Sequence, residues 1–278
     1  MTDLVTWLQA IILGLVQGIT EFLPISSTAH LILFSDLLGW KGIWHKTALD
    51  AMQFGSVIAV FWYFWQDIRH IATGAWHAWR QQDWQREEWK LFVGISVGTV
   101  PALVVGFILK QAKVELDTPQ IIATMAITMA VLLGLAEKLA SRKRTYQDIG
   151  VWDGILVGCG QVIALLPGAS RSGSTLTTAL FLGLNRETAA RFSFLLGIPT
   201  LTIATLVQAK DVFDEGTLGI PLLIAILSSM IFSYLAIAWL LKFLQRHSTW
   251  VFIWYRIGLG VALWGAIAMG ALRGTSAR

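Results

Sequence analysis

The chain has 278 residues, 55% of them hydrophobic and only 14% charged, with a formal net charge of +4. Soluble globular chains carry about 25% charged residues, so a soluble enzyme whose helices need polar outer faces is excluded. With Cys159 as the one cysteine, a disulfide scaffold is excluded too. The composition is that of an all-α, polytopic membrane protein. Its basic residues are scattered between apolar runs rather than gathered on one face, so we expect loop bias and no nucleic-acid partner.

In chain order, Met1-Thr2-Asp3 precedes the first apolar run without a basic residue, and no cleaved signal peptide is expected there. That run, Leu4 to Leu38, is cut at Pro24-Ile25-Ser26-Ser27-Thr28. A bilayer crossing needs about 20 apolar residues, and the run over 48–65 predicts the first one. The polar stretch 66–90 follows, with Ile68, Ala72, Trp76 and Trp79 at helical spacing. It reads either as an in-plane amphipathic helix or as a polar loop carrying Trp at headgroup level. Crossings are predicted over 91–109 and 119–139. Val151 to Leu184 is again apolar but cut, at Pro167-Gly168-Ala169-Ser170-Arg171-Ser172-Gly173. Cys159 lies in this run, where a packing role is expected. The last crossings are predicted over 192–209, which contains Pro199, and over 218–242 and 250–272.

The two broken runs resemble each other. Gln17 stands seven residues before Pro24, Gln161 stands six before Pro167, and the prolines are 143 residues apart. Paired interruptions in corresponding halves point to a site at a repeat interface, and broken backbone at membrane depth requires protein or water around it. We therefore expect one membrane domain, 1–278, with approximate inverted repeats 1–140 and 141–278. Each break would be a re-entrant helix pair; chance likeness between apolar segments is the alternative. Six crossings place both termini on one side. Arg69, Arg80, Arg86, Lys90, Lys138, Arg142, Lys143, Arg144, Arg186, Arg191, Lys242 and Arg246 fall on one set of loops. Lys41, Lys46, Lys110, Lys113, Lys210, Arg273 and Arg278 fall on the other. The richer set should be cytoplasmic, which puts the termini outside.

Ionisable residues inside membrane runs are costly and mark function by default. Glu21 lies one turn after Gln17 on the same helix face, and the break at Pro24 brings Ser26, Ser27, Thr28 and His30 close behind. This set offers a hydroxyl nucleophile with His30 or Glu21 as base, or oxygen ligands for Mg²⁺ or Ca²⁺. It reads equally as a buried polar lock with a helix-capping turn. In the second break, glycines permit close backbone approach, a helix start suits an anion, and Arg171 is a bidentate donor for phosphate oxygens. Nucleotide binding is rejected because no parallel sheet surrounds the segment; an Arg171–Glu21 structural bridge is the alternative. Arg256, beside Tyr255, reads as a packing group or a second phosphate contact. Asp50 reads as interfacial, and His45, His70, His77 and His247 as solvated.

The segment from Gln17-Gly18-Ile19-Thr20-Glu21 through Pro24-Ile25-Ser26-Ser27-Thr28-Ala29-His30 resembles the first signature of the bacterial undecaprenyl-diphosphatase family, the bacitracin-resistance proteins. Pro167-Gly168-Ala169-Ser170-Arg171-Ser172-Gly173-Ser174-Thr175 resembles the second. The resemblance implies six crossings, two re-entrant pairs and an inverted repeat. It implies removal of the terminal phosphate of undecaprenyl diphosphate, recycling the lipid carrier of cell-wall synthesis in the bacterial plasma membrane, with Mg²⁺ or Ca²⁺. By the same resemblance, Glu21 is the principal acidic and metal-binding residue, and Gln17 fills the other position of its motif. Ser27 is the nucleophile, with His30 as base or orienter or itself the nucleophile. Arg171 binds diphosphate with Ser170, Ser172 and Thr175, and Ser26 and Thr28 join the substrate site. Ala29 departs from the Gly of many members. Membrane lipid surrounds the site, and a homodimer stays open. A lipid-phosphate flippase, alone or as a second activity, is the rival reading, since inverted repeats are also a carrier architecture.

Overall fold

The computed structural model describes residues 2–40, 44–114, 116–214 and 219–270. Among these residues the chain is helical throughout, with no strand and an isolated bridge between Arg144 and Leu184. The helices are α1 (Thr2–Phe22), α2 (Ser27–Leu37), α3 (Lys46–Ala51), α4 (Gln53–Tyr63), α5 (Trp65–Gln81) and α6 (Glu87–Gln111). They continue as α7 (Pro119–Leu139), α8 (Val151–Val162), α9 (Arg171–Phe181), α10 (Arg186–Asp214), α11 (Ile220–Arg246) and α12 (Trp250–Ala268). Six of them, α1, α6, α7, α10, α11 and α12, are long and apolar enough to cross a membrane. The protein is a multi-pass membrane protein, and large apolar side chains such as Phe107, Leu206, Leu227 and Trp254 cover its outside.

The number of long apolar helices is the one expected, but their identity differs in two places. The run over 48–65 is not one continuous helix: α3 and α4, of 6 and 11 residues, divide at Met52. Met52 keeps a helical backbone, and Met52 N–H bonds to the Leu49 carbonyl three residues back. Hydropathy does not register such a local change of hydrogen bonding. Conversely α1, expected as half of a re-entrant pair, is itself 21 residues long. Residues 66–90 do hold a helix, α5. It turns Ile71, Gly74, Ala75 and Ala78 inward and leaves Ala72, Trp76 and Trp79 exposed. Cys159 is exposed on α8 rather than packed inside. His45, His70, His77 and His247 are exposed, as expected, with His70 and His77 carried on α5. Lys41, Arg273 and Arg278 of the charge count, and the end of the 250–272 run, lie outside the described residues.

Lipid tails are as apolar as leucine, so helices in a bilayer associate by close backbone packing at small residues. Gly94 and Gly98 of α6 interlock with Gly154 and Gly158 of α8, where a Cβ on Gly158 would land on the Gly98 carbonyl. Gly14 and Gly18 of α1 likewise lie against the Ala225–Ser233 stretch of α11. These contacts anchor α1 and α8, the helices that lead into the two breaks. Gly158→Leu is expected to abolish folded, monodisperse protein in detergent. Gly265→Leu, at a position with open space around it, should elute and melt like wild type. Equal behaviour of the two variants would refute this packing account.

The connection from α7 to α8 is held by polar contacts. Arg144 bonds both oxygens of Asp153 at 2.8 and 2.7 Å and the Leu182 carbonyl at 2.9 Å. The N–H and hydroxyl of Thr145 hold the Asp148 carboxyl below its usual range. Buried Glu137 accepts from Arg142, Arg186 and Thr249, tying the ends of α7, α10 and α12 together.

Candidate active site

Both breaks are built alike. After Pro24 and Pro167 the backbone passes through Ser26 (φ 76°) and Ser170 (φ 70°), a left-handed conformation that costs a non-glycine residue energy. Each serine offsets part of this by capping the helix it precedes. Ser26 Oγ accepts from the Ala29 N–H at 3.4 Å, and Ser170 Oγ from the Gly173 N–H at 3.1 Å. The first residues of α2 and α9 are therefore Ser27 and Arg171. They open on a common cavity of about 190 Å³, lined also by Glu21, Thr28, Gln53, Gln161, Gly168 and Thr200. Two helix N-termini at one cavity give it a field that suits an anion.

Glu21 is the centre of the contacts. Ser27 Oγ donates to one carboxylate oxygen at 2.8 Å, and Gln17 Nε2 donates to the same oxygen at 3.2 Å. Arg171 Nη2 donates to the other at 3.3 Å. The Arg171–Glu21 bridge is thus present, but it uses one nitrogen only. Nε and Nη1 of Arg171 are buried and carry no protein partner. Unpaired buried donors are costly, and a guanidinium with free donors beside two helix starts has the chemistry to bind an oxyanion. The guanidinium lies over the Phe22 ring, 5.9 Å from its centre, and α10 makes room for Nη1 at Gly197.

The other expected site residues divide by what they touch. Ser27 is brought to Glu21 and not to His30. The His30 ring instead turns back, with Nδ1 2.6 Å from the Ser26 carbonyl oxygen and Nε2 2.6 Å from the Tyr255 hydroxyl. Ser26, Thr28 and Ser170 line the cavity. Ser172 and Thr175 spend their hydroxyls on backbone: Ser172 on the Leu23 carbonyl at 3.0 Å, Thr175 on the Arg171 and Ser172 carbonyls. The Ser172 bond joins the second break to the first. Gln17 lines a second cavity of about 350 Å³ that shares Ser27, Thr28 and Gln53 with the first and holds Asp50.

The sequence matches the family described as bacitracin resistance protein BacA over residues 10–262. It is 82% identical to an undecaprenyl-diphosphatase of Thermosynechococcus vestitus, over 98% of this chain and 99% of that one. It is 52% identical to one of a Synechococcus species, over 96% of both chains. With one of Trichormus variabilis it shares 50% identity, over 96% of this chain and 85% of the other. The chain belongs to the bacitracin resistance protein family.

For this family member, three features of the site had weak or no signals in the sequence. Gln53 and Thr200 reach the cavity from α4 and α10, runs that read only as apolar spans. Gln161, noted as the counterpart of Gln17, bonds Thr200 at 2.9 Å and leaves its Oε1 buried without a donor. Arg256 is 1% exposed and bonds carbonyls of both breaks: Nη1 to Pro24 at 3.0 Å, Nη2 to Gly168 and Ala169 at 2.9 Å each. Neither expected role for Arg256 included that link. Among the described residues no group of three acidic, His or Cys side chains forms a metal cage. One carboxylate, Glu21, lines the cavity, and the orphaned Gln161 oxygen lines it too. That set fits a hard cation of the Mg²⁺ kind, which takes one or two carboxylates and draws its other ligands from phosphate and water.

Proposed function

We infer that this protein is an undecaprenyl-diphosphatase, hydrolysing the terminal phosphate of undecaprenyl diphosphate to undecaprenyl phosphate and inorganic phosphate. The relatives carry that name across nearly their whole length. One observation supports the chemistry most: a hydroxyl, a carboxylate and a guanidinium meet in one contact drawn from both breaks, with Arg171 150 residues from Glu21.

The reaction follows from these groups. The diphosphate lies between the two helix starts, where Arg171 Nε and Nη1 take its oxygens. Ser27 Oγ attacks the terminal phosphorus while its proton passes to Glu21. The bond from phosphorus to the bridging oxygen breaks, and undecaprenyl phosphate leaves. Glu21 gives its proton to that leaving phosphate, then takes one from the water that attacks the phosphoserine. Returning this proton to Ser27 Oγ releases inorganic phosphate and restores the site. Glu21 rather than His30 is the proton acceptor because Glu21 is the group Ser27 touches. Most phosphoryl-transfer catalysis is positioning and charge stabilisation, and Mg²⁺ or Ca²⁺ held by Glu21 and Gln161 would add to the latter. The flippase reading needs only Arg171 and a cavity, and leaves the Ser27–Glu21 contact without a use.

Purified protein in detergent should release phosphate from undecaprenyl diphosphate with Mg²⁺ or Ca²⁺ and lose that activity in EDTA. No release from folded protein under any condition would overturn the assignment and require a lipid-flipping assay.

We also propose that α8 and α9, of 12 and 11 residues, form a re-entrant pair; in the first break only α2 is that short. The protein then lies in the bacterial plasma membrane with its termini and site opening on the outer face, as the loop charges favour. In a Cys159→Ala background, a cysteine at Gln82 should resist an impermeant thiol reagent in intact cells. Labelling there would invert the topology.

A further inference from the structure

Arg256 is a buried cation that the reaction above does not use. Its donors go to carbonyls, with Nε on Ala126 at 3.2 Å in addition to Pro24, Gly168 and Ala169. Among the described residues no carboxylate pairs with it. A guanidinium held at membrane depth on carbonyls alone is expensive. What it gains is position: Pro24 precedes Ser27 by three residues, and Ala169 precedes Arg171 by two. The neighbouring side chain reaches the same place by another route. The Ser26 carbonyl can only accept, so His30 Nδ1 carries the proton, and in the neutral ring Nε2 accepts the Tyr255 hydroxyl. Ser26 is the strained residue directly before Ser27.

We propose that Tyr255 and Arg256 are positioning residues of the phosphatase, a clamp from α12 that holds Ser27 and Arg171 at the spacing of one diphosphate. Arg256 ties the two breaks to each other. Tyr255 acts through His30 on Ser26, which makes His30 part of the clamp. The proposal rests on the diphosphatase reading.

Tyr255→Phe deletes one oxygen and keeps the packing, so it carries the test without a folding loss. It should lower kcat about tenfold, the scale of one lost hydrogen bond, with KM within about twofold. In a His30→Ala background the same change should cost nothing further. Arg256→Lys keeps the charge, but one ammonium cannot span both sets of carbonyls; kcat should fall about 100-fold, the scale of a misplaced reacting group. Losses from Tyr255→Phe and His30→Ala that multiply, or wild-type kcat in Arg256→Lys, would overturn the clamp while the wild type still releases phosphate. A silent wild type would overturn the diphosphatase reading and the clamp with it.

Discussion

Glu21→Gln is expected to lower turnover of undecaprenyl diphosphate about 10⁴-fold, the upper end of what a general base contributes. The substitution keeps the shape of the side chain and changes three relations at once. Ser27 Oγ, 2.8 Å from the carboxylate, loses its proton acceptor. Arg171 loses its counter-ion. The cavity loses the one carboxylate available to a cation. Because Ser27 and Glu21 act as a unit, their losses should not multiply. Ser27→Ala should cost a similar factor alone and little more when added to Glu21→Gln. Single-turnover phosphate release would show this, and full activity of Ser27→Ala would remove Ser27 as nucleophile. Multiplying losses would instead mean that the two residues serve different steps.

Arg171→Lys should cost about 10³-fold in kcat, within the range for an arginine acting on a transferring phosphoryl group. Lysine keeps the charge but loses the planar fork, and the fork matters here because Nε and Nη1 are the free donors while Nη2 holds Glu21. An ammonium cannot do both. Gly197→Ala should act in the same direction more weakly, since its Cβ would press on Nη1. If Arg171→Lys raised KM alone, Arg171 would bind ground-state substrate and transition state equally, and the charge-stabilising role would fail.

Much of the site is legible in the amino-acid order because its residues are costly where they stand. Glu21, Arg171 and His30 interrupt apolar runs, and Pro24 and Pro167 mark where helices stop. Their partners are less legible. From spacing, His30 is the natural partner of Ser27, three residues on along one helix face. The ring instead turns to the Ser26 carbonyl and Tyr255, and Ser27 finds Glu21 across the break. Gln53 and Thr200 give no signal, since a lone polar residue in an apolar span also occurs at ordinary helix contacts.

Local pattern alone settles the class of the protein, the number of long apolar helices, the two breaks and the acid, hydroxyl and guanidinium at them. Each of these depends on nearby composition, on the cost of charge in a membrane and on proline's missing N–H. It took the folded arrangement to divide 48–65 at Met52, to give α1 the length of a crossing and to have Glu21 accept from both Ser27 and Arg171. The same holds for Arg256, whose guanidinium meets carbonyls 232 and 87 residues away. Contacts at that separation come from how helices pack, and helix packing in a bilayer turns on small residues whose partners no local pattern names.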